Sequence, residues 1–401
     1  MIFQIEGNSA HMISCRTKTG GCVPPVARTS MARKPISCNR SKEKAHVPAL
    51  HILIRAFVAW SLLGLGIAAP AAPSLHKRAR KIMGTFCEVQ IYDSDSSRAE
   101  KAIAAALDEM QRVDRLLSNY SADSELSAIN REASRSPVRA SQELYRFIKR
   151  CRDFHHETMG AFDPTVGPLV RAWGFFTSHP SRPLDPDIDA ARSKSGFDKV
   201  VLEDRGRTVY YTVAGLEIDP GGIGKGYAVD RAVEVLKKRK IRSALVSAGG
   251  STLYAVGSPP DSDFWRISVR NPANAEQPFA TVLLRDNSVS TSGVSEKSVQ
   301  IGGHRYSHIF DPRTGEPVEG VCQVSVVAKT ATESDALTKA AFILSRESVT
   351  QMLKKKRGTH ALKVDGGCDA PDSTWITPWS SVVFVPGRYQ GDPVENEGIR
   401  D

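Results

Sequence analysis

The alternation of apolar and polar residues along the chain predicts many short strands and a few amphipathic helices. Residues Phe86–Tyr92 alternate between the two kinds of side chain, which is typical of a strand with one buried face. Residues Ser97–Leu117 and Gln142–Thr158 carry apolar side chains at helical spacing. The Ser-x-x-Glu pattern of Ser97 and Glu100 predicts a capping box at the start of the first of these helices.

The elements that follow decide the fold class. Strands are predicted over Lys199–Leu202, Thr208–Val213, Ser243–Ser247, Ser251–Val256, Trp265–Val269, Ala280–Leu284 and Gln323–Ala328. Two further helices are predicted near Gly226–Arg239 and Ser334–Leu344. Because strands follow one another instead of alternating regularly with helices, we predict an α+β fold, with mixed or antiparallel sheets and packed helices. A doubly wound parallel sheet is not expected.

The N-terminal segment has the order of a secretory signal. A basic stretch reaches Lys44, the apolar run Ala56–Ala69 follows, and small residues and prolines close it at Pro70–Pro73. The apolar run is shorter than the roughly 20 residues that span a bilayer. An uncleaved anchor and a short transmembrane helix are the alternatives to a cleaved signal.

This order divides the chain into three parts. Residues 1–72 are a predicted leader, residues 73–389 a single functional domain, and residues 390–401 a polar tail. The leader predicts export, to the periplasm or the outer side of the cytoplasmic membrane, with membrane contact only through the N-terminal segment.

Charge and cysteine content exclude several classes of function. Nine basic and two acidic side chains lie within residues 1–72, so this segment carries +7 of the formal +10 and the remainder only +3. A nearly neutral body predicts no nucleic-acid partner. Of the seven cysteines, Cys87, Cys151, Cys322 and Cys368 fall in the predicted domain without CxxC spacing, which argues against zinc. One or two disulfides are compatible with an oxidising compartment, and their pairing stays open.

A glycine-rich segment, Ile218–Tyr227, is the strongest candidate for binding an anion. It holds four glycines within six residues, together with Lys225, at the predicted start of a helix. Free N–H groups and the positive end of a helix attract phosphate, and glycines let the backbone approach it. The segment matches neither the Walker loop nor the dinucleotide fingerprint. A glycine-rich loop without such a role is the alternative.

Two other glycine-containing segments have weaker local signals. Ile82–Thr85 (IMGT) precedes a strand and reads first as a turn. In Gly160–Val170 (GAFDPTVGPLV), Asp before Pro also favours a turn. The functional alternative is that Phe162 and Asp163 are exposed and meet a flat, hydrogen-bonding ring.

The last cluster joins three segments near the C-terminal end of the predicted domain. They are Thr291–Gly293, His308–Gly315 and Ser334–Lys339. His308 is either a loop histidine or a functional residue. Asp335 is either a helix cap or a hard oxygen ligand for Mg²⁺ beside a phosphate.

Taken together and in this order, the motifs resemble those of the FAD:protein FMN transferases, the ApbE-type flavin transferases. The motifs are MGT, SNYSADSEL with Asn130, GAFDPTVGPLV with WGF, IDPGGIGKGYAVD, SAGGS, STSG, HIFDPRTG and SDAL. They cover roughly residues 83–344, which is most of the predicted domain.

The resemblance implies an activity, cofactors and a partner. Such an enzyme cleaves FAD at its pyrophosphate and moves FMN to a Thr or Ser hydroxyl of an acceptor protein, with release of AMP. FAD is the substrate and Mg²⁺ the cofactor, and the expected acceptor is a membrane-associated redox subunit. Position by position, the residues implied to contact FAD are Met83, Tyr120, Ala161, Phe162, Asp163, Asp219 and Lys225. The implied metal ligands are the Gly222 carbonyl oxygen and the Asp335 carboxylate, and His308 is the candidate base or phosphate contact.

This chain departs from the family pattern at the implied metal site. The pattern Asp-x-x-x-Thr would place a Thr hydroxyl one helical turn after Asp335, but that position holds Lys339, and Thr338 lies one residue earlier. Either Thr338 substitutes as a ligand or Lys339 supplies the positive charge. A flavin-binding protein whose metal site has decayed at Lys339 is therefore one alternative function. The other is an FAD pyrophosphatase, in which water replaces the acceptor hydroxyl and the products are FMN and AMP.

Overall fold

The computed structural model describes residues 3–5, 72–175, 180–274, 278–294, 298–368, 371–377 and 384–386, with backbone only for 3–5, 304 and 384–386. The strands are β1 (Phe3–Ile5), β2 (Ser74–Ile82), β3 (Thr85–Asp93), β4 (Val138–Arg139), β5 (Val200–Glu203), β6 (Thr208–Tyr211), β7 (Ala244–Ala248), β8 (Thr252–Val256), β9 (Trp265–Arg270), β10 (Pro278–Leu284), β11 (Asn287–Gly293), β12 (Ser298–Ile301), β13 (His304–Ser307), β14 (Val321–Ala328), β15 (His360–Gly366), β16 (Pro371–Ile376) and β17 (Phe384–Pro386). The helices are α1 (Ser96–Leu117), α2 (Glu125–Glu132), α3 (Gln142–Glu157), α4 (Gly167–Ala172), α5 (Asp185–Ser193), α6 (Gly224–Lys238), α7 (Ala331–Ile343) and α8 (Arg346–Lys354).

An eight-stranded sheet organises the fold, in the order β16-β15-β14-β11-β8-β7-β3-β2. A four-stranded sheet has the order β1-β9-β10-β17, and two smaller sheets are β4-β6-β5 and β12-β13. Every strand pair among the described residues is antiparallel. The predicted α+β class is confirmed, in its antiparallel form.

The central sheet is covered on both faces, and β14 demonstrates this because all eight of its residues are buried. Val324 and Val326 belong to the core that includes residues of α1, α6 and α7. Val327, the neighbour of Val326, belongs to a second core, shared with β9 and β10. Neighbouring side chains of a strand point to opposite faces, so helices cover one face and the four-stranded sheet the other.

The start of α1 differs from its prediction. The helix begins at Ser96, and the side chain of Asp95 caps it by accepting a hydrogen bond from the backbone N–H of Arg98. The predicted capping box of Ser97 and Glu100 is therefore wrong. An Asp one residue before the helix supplies the same kind of oxygen acceptor, and only one residue can occupy the cap position.

The predicted leader and tail are largely outside the described residues. The apolar run Ala56–Ala69 and residues 390–401 are not among them, and the two domain boundaries stay predictions. Within the leader, Phe3–Ile5 pairs with β9 through its backbone. Within the described ranges, no helix combines the length and apolar character needed to cross a bilayer.

Among the described cysteines, Cys322 and Cys368 form a disulfide that links β14 to the segment after β15, with 5.1 Å between the Cα atoms. This resolves the pairing that the sequence left open. Cys87 and Cys151 are buried thiols, and burial raises the pKa of Cys87 to about 12. Neither thiol is therefore ionised at neutral pH.

We expect loss of this disulfide to lower the free energy of unfolding by about 4 kcal/mol, because it closes a long loop in the unfolded chain. The measurement is urea unfolding of the native protein with and without dithiothreitol. The double variant Cys322→Ala/Cys368→Ala is the matched control, and dithiothreitol should not destabilise it further. Equal effects of dithiothreitol on both proteins would contradict the assignment.

Candidate functional site

The glycine turn, defined as residues 219–226, lies where a short 3₁₀ turn leads into α6. Asp219 caps this 3₁₀ turn, since its carboxylate accepts a hydrogen bond of 2.7 Å from the Gly221 N–H. Helix α6 then runs for 15 residues and has no side-chain cap at its own start. A helix N-terminus attracts anions, and anion binding at this segment stays a prediction.

Two asparagines hold the chain immediately before the glycine turn. The side-chain amides of Asn119 and Asn130 both donate to the carbonyl oxygen of Ile218, at 3.1 and 3.0 Å. Asn130 also accepts from the Ile218 N–H at 3.0 Å. The next N–H, that of Asp219, donates to the carbonyl oxygen of Pro164 at 2.6 Å. Three motifs that are distant in sequence thus converge on one backbone segment.

Helices α6 and α7 meet near their N-termini, and a carboxylate of each helix accepts hydrogen bonds from backbone N–H groups of the other. Asp230 of α6 accepts hydrogen bonds from the N–H groups of Ala331 and Thr332, at 2.7 and 2.8 Å. In return, Asp335 of α7 accepts from the Gly226 N–H at 2.9 Å. Each helix therefore receives a negative charge at its positive end, which stabilises both termini.

Gly226 is required by this close approach. A Cβ atom added at this position would lie 2.2 Å from the carbonyl oxygen of Ala331 and 2.8 Å from the Cβ of Asp335. The first of these neighbours is backbone and cannot rotate away. Glycine therefore permits the contact between α6 and α7.

Asp335 lies beside the glycine turn, and the residue is 1% exposed. Helix α7 begins at Ala331 and is capped by Thr330, so the alternative that Asp335 is the helix cap is wrong. One carboxylate oxygen accepts from Gly226, and the other lies 2.5 Å from the Lys339 ammonium. Of the two residues considered for the missing Thr, Lys339 therefore reaches the carboxylate.

The Thr338 hydroxyl makes its hydrogen bonds outside the glycine turn. Its hydroxyl donates to the main-chain oxygen of Asp335 at 2.7 Å and lies 2.9 Å from the Ser292 hydroxyl of β11. The side chain is fully buried in this arrangement. The hypothesis that Thr338 substitutes as a metal ligand is not supported, because its oxygen is directed to the sheet and its own helix.

Lys225 and Gly222 connect the turn to two further motifs. The Lys225 ammonium lies 2.5 Å from the Ser251 hydroxyl, at the end of the SAGGS motif. A Cβ on Gly222 would lie 3.3 Å from the ring of Phe162 and 3.7 Å from the Lys339 side chain. The glycine turn, the loop that holds Phe162, and α7 are therefore adjacent at this point.

The expectation of an exposed Phe162 and Asp163 is wrong. Phe162 is 3% exposed and packs edge-on against Phe154, while Asp163 is 8% exposed. Asp163 accepts hydrogen bonds from Thr165 and from the Phe197 N–H, and lies 3.3 Å from His155 Nδ1. Its carboxylate fixes the loop internally. Ala161 is buried as well.

Met83 and Tyr120 lie near the turn, as the motifs imply. Met83 and Gly84 form the two-residue hairpin between β2 and β3, with positive φ at both (53° and 71°). The Met83 methyl carbon lies 3.8 Å from where a Cβ of Gly224 would be. Tyr120 is 78% exposed, and partial desolvation together with the nearby Asp219 carboxylate raises its pKa.

His308 follows β13 and is half-buried beside the buried Ile309. Its role as base or phosphate contact stays a prediction. Sequence reasoning gave no role to Asp230, Asn119 or Asn130, although all three lie inside the quoted motifs. Their side chains form hydrogen bonds with residues about 90 to 100 positions away in the sequence, and local spacing does not reveal such contacts.

The comparisons with known proteins agree with this geometry. Residues 83–363 match the model of the ApbE family. The chain is similar to the FAD:protein FMN transferase of Treponema pallidum, at 33% identity over 72% of this chain and 83% of that protein. Among solved structures, it resembles the ApbE protein of Thermotoga maritima, with a TM-score of 0.68 and 30% identity over 73% of this chain and 96% of that one. It also resembles the flavinyl transferase ApbE of Pseudomonas stutzeri, with a TM-score of 0.69 and 27% identity over 78% and 98%. The chain belongs to the ApbE family.

We expect Gly226→Ala to lower the free energy of unfolding by about 3 kcal/mol, because the clash with α7 outweighs the gain in helix propensity of about 1 kcal/mol. Thermal or urea unfolding measures the change. Gly221→Ala is the matched control, since the nearest neighbours of its added Cβ belong to the Asp219 side chain. Equal stability of the two variants would contradict the packing argument.

The His155–Asp163 pair predicts a pH-dependent contribution to stability. Burial lowers the pKa of His155, but the Asp163 carboxylate and then Asp198 raise it more, so it lies above its ordinary value. The stabilisation is therefore full below the unfolded-state pKa of about 6.5 and is lost as pH rises through the folded-state value.

We expect His155→Gln to lower the free energy of unfolding more at about pH 5.5 than at about pH 8.5, measured in urea. His156→Gln, at an exposed neighbouring position, is the control and should have little effect at either pH. A loss for His155→Gln that is the same at both pH values would show that the pair does not contribute through its charge.

Proposed function

We propose that this chain is an FAD:protein FMN transferase that binds the FAD pyrophosphate at the glycine turn. The observation that carries the proposal is the meeting of the α6 N-terminus with Asp335, through the 2.9 Å bond from the Gly226 N–H. Lys225 and Lys339 are on the two elements that meet there. Membership of the ApbE family supports the same conclusion.

The reaction is a transfer of FMN with release of AMP. A Thr or Ser hydroxyl oxygen of the acceptor forms a bond to the FMN phosphorus, and the bond from that phosphorus to the bridging oxygen breaks. The bridging oxygen leaves with AMP, and the hydroxyl proton passes to a base, for which His308 is the candidate. Negative charge on the phosphates is stabilised by the helix N-terminus and the two lysines.

The resemblance implies Mg²⁺ on Asp335 and the Gly222 carbonyl oxygen, but the donors of this chain do not fit it. Mg²⁺ takes about six oxygen ligands at roughly 2.0–2.1 Å in octahedral geometry, several of them waters, and depends on one or two protein carboxylates that are open to it. Both Asp335 oxygens are engaged, by Gly226 and by Lys339, and the Thr338 hydroxyl is directed to Ser292. In the described part of the chain, no three His, Cys, Asp or Glu side chains form a group that could hold a metal ion. No step of the reaction is therefore assigned to a metal.

Export is part of the proposal. The Cys322–Cys368 disulfide supports it, because disulfides persist in oxidising compartments such as the periplasm. The order of basic, apolar and small residues within residues 1–72 supports it as well. The proposed acceptor is a membrane-associated redox subunit with a Thr or Ser hydroxyl on the same side of the membrane.

The test is incubation of the full chain with FAD and a purified redox subunit of this kind. We expect a fluorescent flavin band on the acceptor in a denaturing gel, with one AMP released per flavin attached. Asp335→Ala and His308→Ala should lower the transfer rate about 100-fold or more, and Lys355→Met, at an exposed position after α8, should not. FMN and AMP without labelled acceptor would identify a pyrophosphatase. FAD binding without either product would identify a flavin-binding protein.

A further inference from the structure

We infer that Lys339 is the resident cation of the phosphate site, so that this chain binds FAD without a divalent metal. The inference rests on the proposed function, since it concerns the same glycine turn. Its basis is the disagreement between the metal that the family resemblance implies and the donors that this chain presents.

The first observation is the pairing of Lys339 with a buried carboxylate. The two residues are one turn apart on α7, and four-residue spacing places them on the same helix face. The Lys339 ammonium lies 2.5 Å from Asp335 Oδ1, and the side chains are 17% and 1% exposed. A buried carboxylate requires a positive or hydrogen-bonding partner for each oxygen. Lys339 and Gly226 provide both.

The second observation is the position of the Lys339 stem. Its Cγ and Cε lie 3.7 and 3.8 Å from where a Cβ of Gly222 would be. The stem therefore passes along the glycine turn before the ammonium reaches Asp335. An ammonium has three N–H donors, so a bond to Asp335 leaves donors for a phosphate oxygen.

The third observation is that the ammonium and a metal would require the same atom. A magnesium ion on Asp335 Oδ1 would lie about 2.1 Å from that oxygen, so it would compete with the Lys339 ammonium, which lies 2.5 Å from the same atom. The hydroxyl that could complete a metal site, that of Thr338, is bonded to Ser292 and to the main chain. Lys339 thus supplies one positive charge and hydrogen-bond donors where a divalent ion would supply two charges.

The first experiment measures FAD binding by the native full chain, by calorimetry, in EDTA and in millimolar Mg²⁺. We expect dissociation constants that agree within about twofold. Weakening by about tenfold or more in EDTA would overturn the inference. This measurement requires no variant, so a folding defect cannot obscure it.

The second experiment removes the ammonium. Lys339→Met keeps the length of the stem, and Lys339→Thr creates the Asp-x-x-x-Thr pattern. In EDTA, we expect both variants to bind FAD about tenfold or more weakly than the native chain, and Mg²⁺ should restore binding at least to Lys339→Thr. Lys355→Met is the matched control and should bind as the native chain does. Unchanged binding of FAD by both variants in EDTA would overturn the inference.

A third measurement tests whether a metal ion binds at the Asp335 site in the absence of FAD. Mn²⁺ titration followed by electron paramagnetic resonance should detect no stoichiometric site in the native chain and one in Lys339→Thr. A tight site in the native chain would overturn the inference. If the folded native chain binds no FAD in either buffer, the proposed function fails, while the Mn²⁺ titration still decides whether Lys339 excludes a metal.

Discussion

The reciprocal capping of α6 by Asp335 and of α7 by Asp230 is the constraint on which the rest of the site depends. Two helices whose N-termini meet bring two positive dipole ends together, which is unfavourable without compensation. Asp230 and Asp335 provide that compensation, each on the other helix. The absence of a Cβ at Gly226 sets how close the helices come. The position of Asp335 beside the glycine turn follows from these contacts.

The surrounding motifs hold the chain segments next to this pair of helices. Asn119 and Asn130 fix Ile218, and the loop that contains Pro164 holds Asp219. Lys225 extends to Ser251 at the sheet. The central sheet, covered on both faces, supplies a rigid base for these contacts. Several short segments, dispersed over the chain, thus meet around the glycine turn, where we propose that the FAD pyrophosphate binds.

Much of this could be predicted from the sequence, and the failures have identifiable causes. Four helices (α1, α3, α6 and α7) and four of the eight strands of the central sheet (β3, β7, β8 and β14) were predicted from the sequence. Helices α1 and α3 were predictable because their buried side chains recur at helical spacing. Composition at the glycine turn predicted an anion site because helix starts have unpaired N–H groups. The prediction that Phe162 and Asp163 are exposed was wrong because an Asp-Pro segment has the composition of a surface turn. Nothing in the sequence marks their partners, the Phe154 ring and the Phe197 N–H. The role of Asp230 is likewise visible only once α7 is placed.

The reciprocal capping also makes ligand occupancy and the integrity of α7 one cooperative property. An anion bound at the start of α6 would contact a helix whose first turn is hydrogen-bonded to α7, so opening of either helix would weaken its binding. By mass action, FAD at 100 times its dissociation constant would stabilise the native state by about 2.7 kcal/mol. That stabilisation would extend to α7, although most of its length lies away from the bound phosphates. If FAD binds at the start of α6 as proposed, saturation with the ligand would therefore protect both α6 and α7 against local unfolding.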